Sequence, residues 1–73
     1  MPGFIVQANN NDKFGIINAG GSGHSSFLAF SFAACSAPVQ QRLAQGDIPP
    51  NPGFAVQFDT SFQNGHFIAV NVR

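Results

Sequence analysis

Residues 12–32 read DKFGIINAGGSGHSSFLAFSF, two short segments that alternate large and small side chains on either side of a glycine-rich turn. Because side chains alternate between the two faces of a strand, Phe14 and Ile16 share one face of the first segment. By the same rule, Phe27 and Ala29 share one face of the second segment. Paired strands that present Phe on one face can stack on unpaired bases, so this stretch predicts β structure and a candidate binding surface.

The simpler interpretation of the nine phenylalanines is that they form the core, since apolar residues are mostly buried. At 73 residues the sequence predicts a single domain, 1–73, near the lower size limit for independent folding. A chain of this size buries only about 60% of its unfolded surface, so we expect either an economical, closed architecture or a partner subunit.

The charged residues balance to a net charge of zero, with three Lys or Arg, three Asp and no Glu. Nucleic-acid-binding domains usually carry a basic patch, and this sequence has none. Phosphate contacts would have to come from Lys13, Arg42 and Arg73, helped by Asn and Gln side chains. The charge balance therefore argues against tight binding.

The chain has one cysteine, Cys35, which excludes an internal disulfide and is expected to be a small packed residue. A single thiol fits a reducing compartment. Neither a basic leader with an apolar run nor a long apolar stretch is present, so we expect a cytoplasmic protein without membrane contact.

Five strands are predicted from β-favouring runs bounded by turn residues. The turn signals are the Asn9–Asp12 cluster, a flexible glycine-rich loop at 19–23, and Asn64-Gly65, which is typical of a hairpin. The sequence PGFIVQ at 2–7 recurs as PGFAVQ at 52–57, which predicts two similar strands. The predicted strands cover residues 4–8, 14–18, 25–33, 54–58 and 67–72.

The connection between the third and fourth strands predicts a short helix. Ser36 is suited to the N-cap, Pro38 to the first turn, and Gly46 to the C-terminal end. Val39 and Leu43 are one helical turn apart and so share a face. The prolines at 49–52 cannot continue the helix.

Several segments resemble the cold-shock domain in order and spacing. Residues 3–17 lie without a gap on the family motifs G-x-V-K-W-F-N and x-x-K-G-F-G-F-I, with FGII at 14–17 on F-G-F-I. SFLAFS at 26–31 falls on V-F-V-H-F-S. GFAVQF at 53–58 looks like G-q-x-V-x-F, and NV at 71–72 looks like the end of G-p-x-A-x-N-V. The resemblance covers most of 3–32 and 53–72.

This resemblance implies a five-stranded barrel of the oligonucleotide-binding (OB) type, with a longer connection at 33–52 than is usual in the family. It also implies a ring of aromatic residues that stack on single-stranded RNA or DNA. By position, Phe14, Phe27 and Phe30 are retained, while Ile16 replaces an aromatic residue. Gln7, Ala8 and Ala29 stand where the family has Trp, Phe and His, so the implied platform is incomplete.

The leading prediction is weak binding of single-stranded RNA or DNA with little sequence preference, since every base offers a π-face. Lys13 would contact the nucleic-acid backbone beside Phe14. The predicted binding residues are Lys13, Phe14, Ile16, Phe27 and Phe30.

The alternative is a degenerate barrel that serves protein interaction or self-association. In the resembled fold Phe4 and Phe54 would point outward, which predicts a homodimer surface that contains both residues.

Catalysis finds little support in the sequence. The three Asp residues have no supporting base nearby, and His24 and His66 are isolated loop histidines without neighbouring ligands at metal spacing. We therefore predict no enzyme activity, no catalytic residue, no cofactor and no metal.

Overall fold

The computed structural model of this chain describes residues 1–20, 27–50 and 52–73. Within these ranges, six strands, one 3₁₀ turn and one α-helix follow one another. They are β1 (Pro2–Asn9), β2 (Phe14–Asn18), β3 (Phe27–Ser31), the 3₁₀ turn (Phe32–Ala34), α1 (Ala37–Ala44), β4 (Phe54–Gln57), β5 (Asp59–Gln63) and β6 (His66–Val70).

The strands form two antiparallel sheets, one with the order β3-β2-β1-β4 and one formed by β5 and β6. The prediction of a mostly β chain with a short helix between the third and fourth strands is confirmed. The described strands number six in two sheets rather than five in one barrel. The additional strand is β5, which lies between the predicted strands at 54–58 and 67–72 and is separated from β4 by the fully buried Phe58.

The repeated PGF(I/A)VQ segments lie in β1 and β4 and pair with each other. Pro2 is opposite Gln57, and Ile5 is opposite Phe54. The prediction that the two copies are similar strands is confirmed.

Two predicted turns are also confirmed. Asn9 Oδ1 accepts hydrogen bonds from the backbone N–H groups of Asn11 and Asp12, at 2.9 and 3.0 Å. Asn64 and Gly65 adopt φ values of 52° and 86° between β5 and β6. Positive φ at both central residues is the geometry of the two-residue hairpin turn that Asn-Gly favours.

Helix α1 begins after Ser36, carries a proline in its first turn and ends before Gln45, as predicted to within two residues. Val39 and Leu43 are buried on its inner face. Asn10 Nδ2 donates a hydrogen bond to the Leu43 carbonyl oxygen at 3.1 Å, which ties the end of the helix to the β1–β2 turn.

The core lies between the four-stranded sheet, α1 and the C-terminal segment. Cys35 belongs to this core, as predicted, and its thiol donates to the Ser31 carbonyl oxygen at 3.7 Å. Burial raises the pKa of the Cys35 thiol to about 11. The largest fully buried side chains are Phe30, Phe58, Ile5, Ile17, Leu43 and Val72.

Backbone hydrogen bonds connect the ends of the two sheets. Gln57 and Arg73 exchange two N–H···O bonds of 2.8 Å each. Val72 donates to the Ala34 carbonyl oxygen at 2.8 Å and accepts from the Ser36 N–H at 2.7 Å. The segment after β6 therefore contacts β4 on one side and the chain after β3 on the other.

Candidate nucleic-acid interface

The outward side chains of the four-stranded sheet lie in transverse rows, because residues directly opposite each other on paired strands point to the same face. The resulting surface is called the outer face here. From β3 to β1, its first row is Ser31, Phe14 and Asn9, its second row is Ala29, Ile16 and Gln7, and its third row is Phe27, Asn18 and Phe4, which continues to Ala55 of β4.

A β-bulge at Val6 determines which β1 residues reach the outer face. Ile5 is opposite Ile17 but Gln7 is opposite Ile16, so one extra residue lies between them. Val6 and Gln7 are both exposed as a result, and Ala8 takes the inward position. Strict alternation along the strand would have directed Gln7 inward.

Three phenylalanines are exposed on the outer face: Phe4 at 37%, Phe14 at 44% and Phe27 at 59%. Phe14 and Phe27 share a face, as the predicted stacking surface requires, but they are not adjacent. Phe14 is opposite Ser31, four residues from Phe27, which separates them by roughly 13 Å along the strand direction. Ile16 and Ala29 fill the interval, so the apolar surface is continuous while the aromatic surface is not.

Phe30 does not belong to the outer face. It is only 2% exposed, and its ring lies against Gly15, the residue opposite it on β2. A methyl group at Gly15 would approach the Phe30 ring to 2.6 Å. The prediction that Phe30 stacks on bases is therefore wrong, because its position on β3 directs the ring into the core.

The Lys13 side chain is held near the end of β3. Its backbone has φ 58°, its carbonyl oxygen accepts from the Phe32 N–H at 2.9 Å, and its Nζ lies 5.8 Å from the centre of the Phe32 ring. Phe32 is buried, and the ammonium thus lies over an aromatic ring that is not part of the outer face. A contact between Lys13 and the nucleic-acid backbone remains a prediction.

Phe4 and Phe54 lie on opposite faces of the sheet. Phe4 is opposite Ala55 on the outer face, whereas Phe54 is opposite the buried Ile5. The Arg42 guanidinium covers the Phe54 ring at 4.0 Å from its centre. The prediction that one surface contains both phenylalanines is therefore wrong. Ala55, which is opposite Phe4, follows Phe54 directly on β4, and neighbouring residues on a strand point to opposite faces.

Both arginines lie close to aspartates. Arg42 Nε is 3.0 Å from an Asp47 carboxylate oxygen, and Arg73 Nη1 is 3.7 Å from an Asp59 carboxylate oxygen. A hydrogen bond from Asn71 and the nearby Arg73 charge lower the pKa of the Asp59 carboxyl. These pairs reduce the positive potential that either arginine can offer to a phosphate.

A second exposed aromatic pair lies on the β5–β6 hairpin and was not singled out from the sequence. Phe62 and Phe67 are directly opposite each other, 62% and 57% exposed, with ring centres 5.0 Å apart at an angle of 75°. The sequence FQNGHF at 62–67 predicts this pair. A two-residue Asn-Gly turn places Gln63 opposite His66, and therefore places Phe62 opposite Phe67.

The histidines add little to the site. His66 Nδ1 lies 3.2 Å from the Asn64 carbonyl oxygen in an exposed turn. His24 and most of the predicted 19–23 loop lie outside the described residues. Within the described ranges, no three His, Cys, Asp or Glu side chains are grouped as metal ligands would be.

Of the helices in the described part of the chain, none is long and apolar enough to span a bilayer. No protein-family model, curated protein or solved structure matches this sequence. The outer face is therefore the feature of this molecule that points to a function.

Proposed function

We propose that this chain binds single-stranded nucleic acid weakly on its outer face. Bases would stack on Phe14 and Phe27, and Ile16 would provide apolar contact between them. The observation that carries the proposal is that large apolar side chains of one sheet face are exposed while the opposite face forms the core. Base–aromatic stacking needs accessible rings on a firm support, and paired strands provide both.

The proposal includes an OB-type barrel, and the hydrogen-bond connections support it. Neighbouring strands run from β3 through β2 and β1 to β4, and β4 pairs with Arg73 through Gln57. Val72 then bridges in parallel to Cys35, just after β3. These connections lead from β3 around to Cys35, beyond the 3₁₀ turn that follows β3. They support a barrel in which β4 and β5 together would represent one bent strand. The cold-shock resemblance supports the same arrangement from sequence order.

The expected affinity is low for two physical reasons. Each stacked base contributes about 1–3 kcal/mol, and the outer face offers two rings on β2 and β3 rather than a full platform. The zero net charge and the paired arginines supply little attraction for phosphate. Dissociation constants in the micromolar to millimolar range follow.

Fluorescence anisotropy of end-labelled oligothymidine and oligouridine, about eight nucleotides long, tests the proposal at low salt. The label belongs on the oligonucleotide because the chain has no Trp or Tyr. A Phe14→Ala/Phe27→Ala double variant should lose most of the binding. A Phe62→Ala/Phe67→Ala double variant is the matched control, since it also removes two exposed rings but on the other sheet.

Two results would reject the proposal. One is an unchanged anisotropy for the wild-type protein at concentrations near a millimolar. The other is equal affinity of the double variant and the wild type, which would show that binding does not use the outer face.

The second candidate function is self-association through the exposed Phe62–Phe67 pair. Two rings about 60% exposed provide roughly 200–300 Å², whereas a stable interface needs about 800 Å² from each partner. The pair alone therefore supports only a weak dimer, which ranks this function second. Sedimentation velocity over a concentration series tests it, and a Phe62→Ser variant should remain monomeric where the wild type associates.

A further inference from the structure

The third row of the outer face opens into a groove of about 470 Å³ between β2, β1 and β4. The groove is mixed in character, with apolar walls and polar groups at both ends. Its main lining side chains are Pro2, Phe4, Asn18, Ala55, Gln57 and Arg73.

The Phe27–Asn18–Phe4 row connects this groove to the proposed base-stacking surface. Phe27 and Phe4 flank Asn18 on the two neighbouring strands, so they are two strand spacings, roughly 10 Å, apart. A single-stranded nucleic acid whose base stacks on Phe27 can therefore continue across Asn18 to Phe4 along the surface of the sheet.

Amide groups in the groove are suited to contact the polar edge of a base. Asn18 Oδ1 accepts a hydrogen bond from the Gly20 N–H at 3.0 Å, which fixes the orientation of the side chain. Its NH₂ group is then oriented as a donor, and Gln57 lines the same groove. Base carbonyl oxygens are matching acceptors.

Arg73 places a cation at one end of the groove. Its guanidinium has five N–H donors, and Nη1 donates to the Asn71 carbonyl oxygen at 2.8 Å. Its side chain is 48% exposed. Asp59 lies 3.7 Å from Nη1, beyond hydrogen-bonding distance, so the other guanidinium donors of Arg73 can contact a phosphate.

We infer that this groove holds one further nucleotide of the bound strand, with its base against Phe4 and its phosphate against Arg73. The inference rests on the proposed function and extends the site from β2 and β3 onto β1 and β4. The bound nucleic acid would then cross the sheet from Phe27 to Phe4, with a phosphate at the β4 end.

The test is an NMR titration of the ¹⁵N-labelled protein with thymidine 5′-monophosphate and, separately, with thymidine. Amide signals of Phe4, Asn18 and Gln57 should shift, and the monophosphate should bind several-fold more tightly than the nucleoside. Arg73→Gln should bring the monophosphate to the affinity of thymidine. Phe4→Ala should weaken both ligands at least about fivefold.

Arg42→Gln is the matched control, because Arg42 also pairs with an aspartate but stacks on Phe54 at the opposite face. It should leave both titrations unchanged. With the labelled oligonucleotide, Arg73→Gln should reduce the slope of log affinity against log salt by about 0.7, the value for one single-strand phosphate contact.

The inference is overturned if the wild-type signals of the groove do not move, or if thymidine binds as well as its monophosphate. An unchanged affinity of Arg73→Gln would have the same meaning. If the groove does not bind the nucleotide, oligonucleotide binding that depends on Phe14 and Phe27 is still expected. If the proposed function is wrong, oligonucleotide binding does not depend on Phe14 and Phe27, while the NMR signals of Phe4 and Asn18 can still shift with the nucleotide. The two outcomes are therefore distinguishable.

Discussion

Phe27 and Phe30 are three residues apart on the same strand, yet they lie in opposite environments. Phe27 is 59% exposed at one end of the outer face, whereas Phe30 is 2% exposed in the core. An odd separation along a strand directs two side chains to opposite faces. The same residue type can therefore serve binding at one position and stability at the other, and four substitutions test this division.

The largest effect is expected for Phe30→Ala. Removing a buried phenylalanine leaves a cavity and typically lowers the free energy of unfolding by about 3–5 kcal/mol. A domain of this size has a free energy of unfolding of about 4–11 kcal/mol, so such a loss removes a large part of its stability. Urea denaturation followed by circular dichroism measures it. A loss below about 1 kcal/mol would contradict the core position of Phe30.

The second substitution, Gly15→Ala, tests the contact on which the Phe30 position depends. The added methyl group would lie 2.5 Å from the Gln7 carbonyl oxygen and 2.6 Å from the Phe30 ring. Overpacking of this kind destabilises by about 1–3 kcal/mol. Gly46→Ala is a useful control, because its added methyl group meets nothing within 4 Å and only the positive φ of 71° opposes it. Equal losses for the two variants would argue against the close β2–β3 contact.

The Cys35 thiol provides a third test, through pH. Burial raises its pKa in the folded protein from 9.0 to about 11, so the unfolded chain loses the thiol proton first as the pH rises. The stabilisation is complete below pH 9 and is lost between pH 9 and about 11, by about 1–2 kcal/mol because solvent screens part of the effect. Denaturation of the wild type and of Cys35→Ala at a series of pH values isolates this effect. Parallel pH profiles for the two proteins would contradict it.

The smallest effect on stability is expected for Phe27→Ala on the outer face. An exposed side chain away from the core changes the free energy of unfolding by less than about 0.5 kcal/mol. The same substitution should weaken oligonucleotide binding by about 1–3 kcal/mol. Denaturation and anisotropy measured on one preparation separate the two effects. A stability loss similar to that of Phe30→Ala would remove the distinction between the faces.

Local features of the fold were predictable from neighbouring residues. The bounds of β2 at 14–18, the position of α1 and the Asn64-Gly65 turn all follow from side chains within a few positions of one another. Capping, proline geometry and hairpin turns are short-range effects, and they were recognised correctly. The exposed Phe62–Phe67 pair belongs to the same category, since it follows directly from that turn.

Other features depend on residues far apart in the chain. The bulge at Val6 exists because β1 has to match β2, and it turns Gln7 outward. The buried Phe58 separates β4 from β5, and its N–H donates to the Met1 carbonyl oxygen at 2.8 Å. Neither feature has a local signal. The predicted strand at 54–58 therefore matches β4 to within one residue, whereas no strand was predicted over β5.

The sequence by itself determined that this chain forms short β-strands around one short helix, with Phe on alternating positions. The tertiary structure decided which of those phenylalanines are buried. The physical reason is that alternation fixes only relative faces, whereas burial depends on what covers each face. The core side is covered by α1 and the segment through Val72, and the outer face remains open at Phe4, Phe14 and Phe27.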